Sequence, residues 1–244
     1  MAYKKKVWRF RNAIEVTEYH SARYGAPGEK RSPKQKATPE QIERINQRNR
    51  EATCRRKLRA NFRENDYFAT LTYAKDKRPE DMTAAKADYV RFIRAVRKEY
   101  QERGHPLRWI RNIEVGTRNG WHIHLVINRI PDTDVILAKC WRGGRVYSEL
   151  LYEKGEFRDL AAYITKTPKT DPRLKETSYS TSRNLPVPEP EEKLIVRWDT
   201  WPQEPRVDKR TAAVWYIDRE SYHEGVNRFG HRYRSYTLLR YRRE

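Results

Sequence analysis

Apolar positions along this chain change their period several times, and each period predicts an element. Between Thr83 and Arg103, Tyr89, Phe92, Ile93, Val96 and Tyr100 recur at helical spacing and predict a helix with one core-facing side. Just before it, DYFATLTYA is rich in aromatic and β-branched residues and reads as a strand. RWIRNIEVG and WHIHLVIN predict two more strands, joined by a turn that contains Asn119-Gly120. A short helix near Asp134–Trp141, a strand over RVYSELLY and a helix over EFRDLAAYITK follow. Upstream, VWRF and IEVTEY predict a short hairpin around Arg11 to Ala13, and GAPGEKRSPKQK reads as loop. TPEQ then opens a helix: Thr38 is a good N-cap, Pro39 suits the first helical position and Gln41 completes a capping box. That helix is expected to reach about Arg59, with Ile42, Ile45 and Ala52 as a thin apolar stripe.

The prolines of YSTSRNLPVPEPEE mark a boundary or a wrapped linker. Beyond them, VWYIDRESYHEGV and RYRSYTLLRYR predict a hairpin in a β-rich tail. The order of strands and helices is that of an α+β fold, an antiparallel sheet of about five strands with helices packed on one face, RRM-like, plus N- and C-terminal β-rich extensions. Three segments are expected: a basic N-terminal segment and helix over 1–59, a central domain over 60–188 and an extension over 189–244.

WHIHLVIN holds candidate chemistry. Alternation along a strand turns His122, His124 and Val126 to one face and Ile123, Leu125 and Ile127 to the other. Ile123, Leu125 and Ile127 suit a core, which leaves the imidazoles together, roughly 7 Å apart along the strand. Two imidazoles at that spacing can meet on one metal ion, since metal–nitrogen bonds are about 2 Å. The neighbouring strand offers one acid, Glu114. A two-residue Asn119-Gly120 loop sets Glu114 opposite Leu125, on the wrong face. A three-residue loop, Arg118-Asn119-Gly120, pairs Thr117 with Trp121 and sets Glu114 opposite His124; this register is the expectation. The competing reading is two surface histidines with no ion. On EFRDLAAYITK, Phe157, Leu160, Ala161 and Ile164 share one side. Tyr163 lies at its edge and Lys166 is its surface neighbour. Alone, that pair would read as a half-buried tyrosine beside a solvated lysine.

Charge narrows the partners. The 244 residues include 53 Lys/Arg against 33 Asp/Glu, a formal net charge of +20. A polyanion, nucleic acid or an anionic membrane surface, is the implied partner. No apolar run approaches the roughly 18 residues of a membrane span, and MAYKKKVWRF lacks the apolar stretch of a secretory signal. Residues 1–66 hold 18 Lys/Arg and 8 Asp/Glu, half of the excess charge, on a solvated helix or a DNA-contacting one. Cys54 and Cys140 have no CxxC partner, which excludes a zinc finger or a redox pair and leaves two free thiols. The G-x-x-x-x-G-K-[ST] motif of a nucleotide-driven motor is absent.

HIH on a strand, followed about 40 residues later by YITK on a helix, resembles the HUH endonuclease superfamily. FATLTY resembles the first motif of its replication-initiator (Rep) branch, and RANFRENDYFATLTYA and STSRNLPVP resemble rolling-circle initiators of bacterial mobile elements. The Rep-like likeness covers about residues 60–187. It implies an HUH palm for the sheet, Tyr163 as the nucleophile of a single-stranded DNA nickase and strand transferase, and a 5′-phosphotyrosine intermediate with a free 3′-hydroxyl. It further implies that His122, His124 and Glu114 hold a divalent ion, Mn²⁺ better than Mg²⁺ by donor type. Lys166 would favour the phenolate or bind phosphate. Thr72, Tyr73, Arg183 and Asn184 are the candidate DNA contacts. The implied partners are single-stranded DNA at an origin or hairpin and a host or element helicase and polymerase, in a bacterial cytoplasm, with no membrane and no small-molecule substrate. A relaxase or single-tyrosine transposase with the same chemistry is the first alternative. A non-catalytic RRM-like nucleic-acid binder is the second.

Overall fold

The computed structural model describes residues 3–20, 38–116, 120–152, 157–166, 179–196, 201–205, 207, 209–226 and 231–241. The chain forms two compact units. One comprises residues 1–49, 154–156 and 187–244, the other residues 50–153 and 157–186. The ends of the chain thus share a unit, whereas the sequence suggested separate segments; one break falls after Pro186, within the proline-rich stretch.

The first unit contains an antiparallel sheet of order β8-β1-β2-β10-β9. Its strands are β1 (Tyr3–Arg9), β2 (Ala13–His20), β8 (Glu191–Ile195), β9 (Trp215–Val226) and β10 (Arg232–Arg240). The expected N-terminal and C-terminal hairpins are both present, joined through β2 and β10. Val7, Ile14, Val16, Tyr236 and Leu238 form the core cluster.

Helix α1 (Pro39–Asn61) opens with the expected capping box: Gln41 N–H donates to Thr38 Oγ1 at 3.3 Å and Thr38 N–H to Gln41 Oε1 at 3.1 Å. Its buried apolar side is not the expected one. Ile42 and Ile45 are exposed, and Cys54 and Leu58 are the buried positions, with Phe62 just beyond the helix. Only residues from Arg50 onward belong to the second unit, so only that part of α1 has a sheet to cover. Burial pushes the Cys54 thiol up to about 12, which leaves it a core residue.

The second unit is built on the antiparallel sheet β6-β3-β5-β4-β7. Its strands are β3 (Tyr67–Thr72), β4 (Trp109–Val115), β5 (Trp121–Ile127), β6 (Val146–Leu150) and β7 (Ser180–Thr181). Helix α2 (Met82–Glu102) is capped by Asp81, which accepts from Ala84 N–H at 2.8 Å. Its expected stripe, Tyr89, Phe92, Ile93, Val96 and Tyr100, is buried. With α3 (Thr133–Cys140), it covers Ala69, Leu71, Ile113, Ile123, Leu125 and Ile127. The α+β class and the five-stranded antiparallel sheet agree with expectation. The opposite face also carries helices: α4 (Arg158–Thr165) and the end of α1 bury Ile110, Val126 and Phe68. The reason is visible in β5 and β4, where Val126 and Ile110 make one end of the imidazole face apolar.

The register between β4 and β5 corrects the expected one. Val115 pairs with Trp121, and Glu114 lies opposite His122 rather than His124. Gly116 N–H donates to Gly120 O at 2.7 Å at the end of the ladder. Of the expected turn Arg118-Asn119-Gly120, the first two residues lie outside the described residues. The shift is two residues, and strands repeat every two, so Glu114 keeps the face of the imidazoles. Among the described residues, no helix is long and apolar enough to cross a membrane.

Candidate active site

Three strands and one helix bring the chemistry together. Pairing sets Thr70 of β3 and Asn112 of β4 on either side of His124, and Thr72 and Glu114 on either side of His122. Helix α4 closes over the apolar end of this face. Phe157 enters the helix at φ 43°, in the left-handed region that an aromatic residue seldom adopts. Its buried side chain anchors the helix start, offsetting that cost by ~1.5–3 kcal/mol. Ala161 and Ile164 then face the sheet, and Tyr163 stays 38% exposed at the margin.

Tyr163, His124 and Glu114 form a triangle of polar atoms. The Tyr163 hydroxyl is 2.8 Å from His124 Nε2 and 3.1 Å from Glu114 Oε2, and those two atoms are 3.2 Å apart. A carboxylate only accepts, so its contacts need a proton from the phenol or the imidazole. Thr70 Oγ1 lies 3.2 Å from His124 Nδ1 and ties down the other ring nitrogen. Phe68 stacks parallel to the His124 ring at 5.7 Å and meets Tyr163 edge-on at 6.3 Å. The two imidazoles are nearly parallel, with centroids 6.3 Å apart.

The electrostatics follow from these contacts. The hydrogen bond with His124 holds Glu114 below the usual carboxylate range against the opposing effect of burial, and Lys166 adds a smaller favourable charge. Burial, then the neighbouring His124, pushes His122 below its ordinary value, which favours the neutral ring that a metal needs. Burial, then the Glu114 carboxylate, pushes the Tyr163 phenol above its ordinary value of 10.0.

The donor types on this face, two imidazoles and a carboxylate, suit a divalent ion. A hydrogen-bonded second ring nitrogen is the usual support of a ligating histidine, and Thr70 supplies it for His124. Among the described residues, however, no group of three or more His, Cys, Asp or Glu side chains is drawn together at ligand distance. The Tyr163 hydroxyl instead touches both Glu114 and His124.

The remaining sequence candidates lie elsewhere. Lys166 caps the C-terminal end of α4 and is exposed. The Thr72 hydroxyl donates to Arg145 O at 3.1 Å, inside the sheet edge. Tyr73 belongs to the core, edge-on to Trp141 at 5.0 Å, and presents no ring to a ligand. Arg183 and Asn184 are exposed, but Asn184 Nδ2 donates to Leu107 O, at the end of β4 away from Glu114. Seven residues of strand at about 3.4 Å each separate the two ends.

Thr70, Phe68 and Asn112 were missed. Period-two alternation in FATLTY puts Phe68, Thr70 and Thr72 on one face, but only the pairing of β3 with β5 shows that it is the imidazole face. Asn112 is fully buried opposite His124, and its amide nitrogen and oxygen have no hydrogen-bond partner among the described residues.

Residues 66–168 match the family model described as Replication-associated protein ORF2. Comparison with curated proteins gives no match, and comparison with solved structures gives none. The matched span runs from the residue before β3 past the end of α4 and includes Tyr163, His122, His124 and Glu114. Over these residues the chain carries a domain of the replication-associated protein ORF2 family, consistent with a rolling-circle replication initiator of a mobile element and hence with DNA binding.

Proposed function

We propose that this domain nicks and rejoins single-stranded DNA through a covalent link to Tyr163, and thereby starts rolling-circle replication. One observation carries the reading: a partly exposed tyrosine hydroxyl lies within 3.1 Å of both a histidine nitrogen and a carboxylate oxygen, inside a replication-family domain. A phenol that only filled space would need neither contact. The RRM-like binder is less favoured, because the β3 aromatics it would use are engaged: Tyr73 is in the core and Phe68 stacks on His124.

The chemistry balances without a co-reactant. Tyr163 Oη bonds to the scissile phosphorus, the bond from phosphorus to the 3′-oxygen breaks, and the phenol proton ends on that oxygen. The products are a 5′-phosphotyrosine link and a free 3′-hydroxyl. The link keeps the phosphodiester's energy, so a second attack by a hydroxyl rejoins the strand. His124 Nε2 and Glu114 Oε2 are the atoms placed to take the proton from Oη. Thr70 and Phe68 orient the His124 ring. Exposed Lys166 supplies charge for the phosphate. His122, His124 and Glu114 would hold a Mn²⁺ or Mg²⁺ ion, which when bound polarises the phosphate. A separate helicase and polymerase complete the process, and Thr72, Arg183 and Asn184 remain backbone contacts at most.

The test is a covalent adduct. The protein is incubated with single-stranded DNA from its own element and Mn²⁺, and the adduct is mapped by mass spectrometry. The expected attachment is to Tyr163, with none in Tyr163→Phe. An adduct on another tyrosine, or one formed equally by the Phe variant, defeats the assignment.

A further inference from the structure

We propose that Tyr147 is a base-stacking platform that holds the single strand beside the nicking centre. The inference deepens the nickase reading and rests on it for the identity of the polymer. Strand β6 is an edge of the sheet and pairs only with β3. In that pairing Tyr147 lies opposite Thr70, and Thr70 lies opposite His124. Cross-strand partners share a face, so the Tyr147 ring belongs to the row that leads to the Tyr163 triangle. It is 54% exposed, against 9% for Tyr73 and the half-buried Phe68. Among the described residues it makes no ring contact or side-chain hydrogen bond.

Its neighbours on the strand suit a nucleic acid. Arg145, two residues before, is exposed and falls level with Thr72 and His122, since Thr72 N–H donates to Arg145 O. Glu149, two residues after, lies opposite Phe68, toward the end of the face that α4 covers. Positive charge therefore flanks the ring on its open side and negative charge on its closed side. A phosphate backbone is drawn along the Arg145 side, and a base turns inward over the ring. Two strand spacings separate Tyr147 from His124, about 10 Å. That is the span of about two to three stacked nucleotides at ~3.4 Å each. Stacking on a ring is tolerant of base identity, so Tyr147 would set affinity and register rather than read sequence. A net charge of +20 supplies the remaining attraction for DNA.

The test uses the full chain and fluorescently labelled oligodeoxythymidylate, with binding followed by anisotropy. Tyr147→Ala is expected to bind about 5- to 150-fold more weakly, the fold-change equivalent of ~1–3 kcal/mol. Tyr147→Phe and Tyr147→Trp should bind within about 2-fold of the parent, which also shows that the edge strand folds. A 2-aminopurine placed near the nick position should lose fluorescence on the parent protein and not on Tyr147→Ala. Wild-type affinity in Tyr147→Ala, or equal weakness in Tyr147→Phe, overturns the proposal. Failure of the nickase reading looks different: no adduct forms on wild-type protein, while the Tyr147 binding series keeps its order and supports the platform.

Discussion

Each of the two sheets places an acid opposite a basic side chain on a neighbouring strand, and the two pairs are built in opposite ways. In the first unit Arg234 of β10 faces Glu18 of β2, and both are almost wholly buried, at 1% and 3% exposure. Arg234 Nε donates to Glu18 Oε2 and Nη1 to Pro202 O, each at 2.5 Å. The Trp201 and Tyr236 rings lie 5.6 Å from the guanidinium carbon, and Lys5 reaches the other carboxylate oxygen at 3.5 Å. No side of that pair is open to a ligand. In the second unit Glu114 faces His122 and touches His124 and Tyr163, all partly open to solvent. A single hydroxyl proton there has two acceptors within reach. A buried charge enclosed on every side is scaffold; a cluster with an open side and a shared proton is equipped for chemistry.

The largest effect separates the two by activity. Tyr163→Phe should lower adduct formation by at least about 10³-fold, because no other group replaces the attacking oxygen. Its binding of single-stranded DNA and its thermal stability should stay close to the parent's. The next effect separates them by stability. Arg234→Met leaves Glu18 buried without its main partner and should destabilise the protein by about 3–5 kcal/mol in urea titrations. Glu114→Gln, at a more open position, should cost no more than about 1 kcal/mol. Equal losses in the two variants would erase the distinction between scaffold and site.

That distinction was only half legible in the sequence. The helix over α2 was readable because its apolar period and its exposed face agree, and the Thr38–Gln41 cap because it is local. The shared face of His122 and His124 follows from alternation alone. The Glu114 face came out right for a reason the sequence did not contain: the register slipped by two, which preserves parity. Strand pairing is set by contacts far apart in the chain, so Thr70 beside His124 and Tyr147 beyond it could not be found by local pattern. Ile42 and Ile45 misled because an apolar stripe is a potential for burial; α1 outruns the sheet that its second half covers. Tyr73 misled because a motif placed it in a DNA-binding strand, whereas odd positions of β3 face α2.

A smaller effect tests the support behind the triangle. Thr70→Val removes the hydroxyl at His124 Nδ1 and keeps the β-branched shape in β3. Loss of such a supporting contact typically costs about 10- to 100-fold in metal affinity or activity, and an open, hydroxyl-only contact belongs at the low end, about 10-fold. Mn²⁺ titration by calorimetry reads this directly, without turnover. Unchanged Mn²⁺ affinity and adduct formation would show that Thr70 is part of the sheet and not of the site.

The smallest effect is the dependence of stability on pH, and its sign is fixed by three groups. Burial holds the folded His122 below its ordinary 6.5, so its stabilisation is complete above 6.5 and is lost as pH falls through the folded value. The His124 contact holds Glu114 below its ordinary 4.5, so its stabilisation is complete above 4.5 and is lost further down. Burial and Glu114 raise Tyr163 above 10.0, so its stabilisation is complete below 10.0 and is lost as pH rises through the folded value. The site is therefore most stable between about pH 6.5 and 10, and its acid flank has two steps. His122→Asn should flatten the melting temperature between about pH 6.5 and 4.5, and Glu114→Gln only below about 4.5, each by roughly 1–3 °C. The Arg234–Glu18 pair has no part in the upper acid step, since neither group titrates there. If both variants run parallel to wild type across that range, the two residues carry no protons that matter to folding, and the contrast with the enclosed pair rests on access alone.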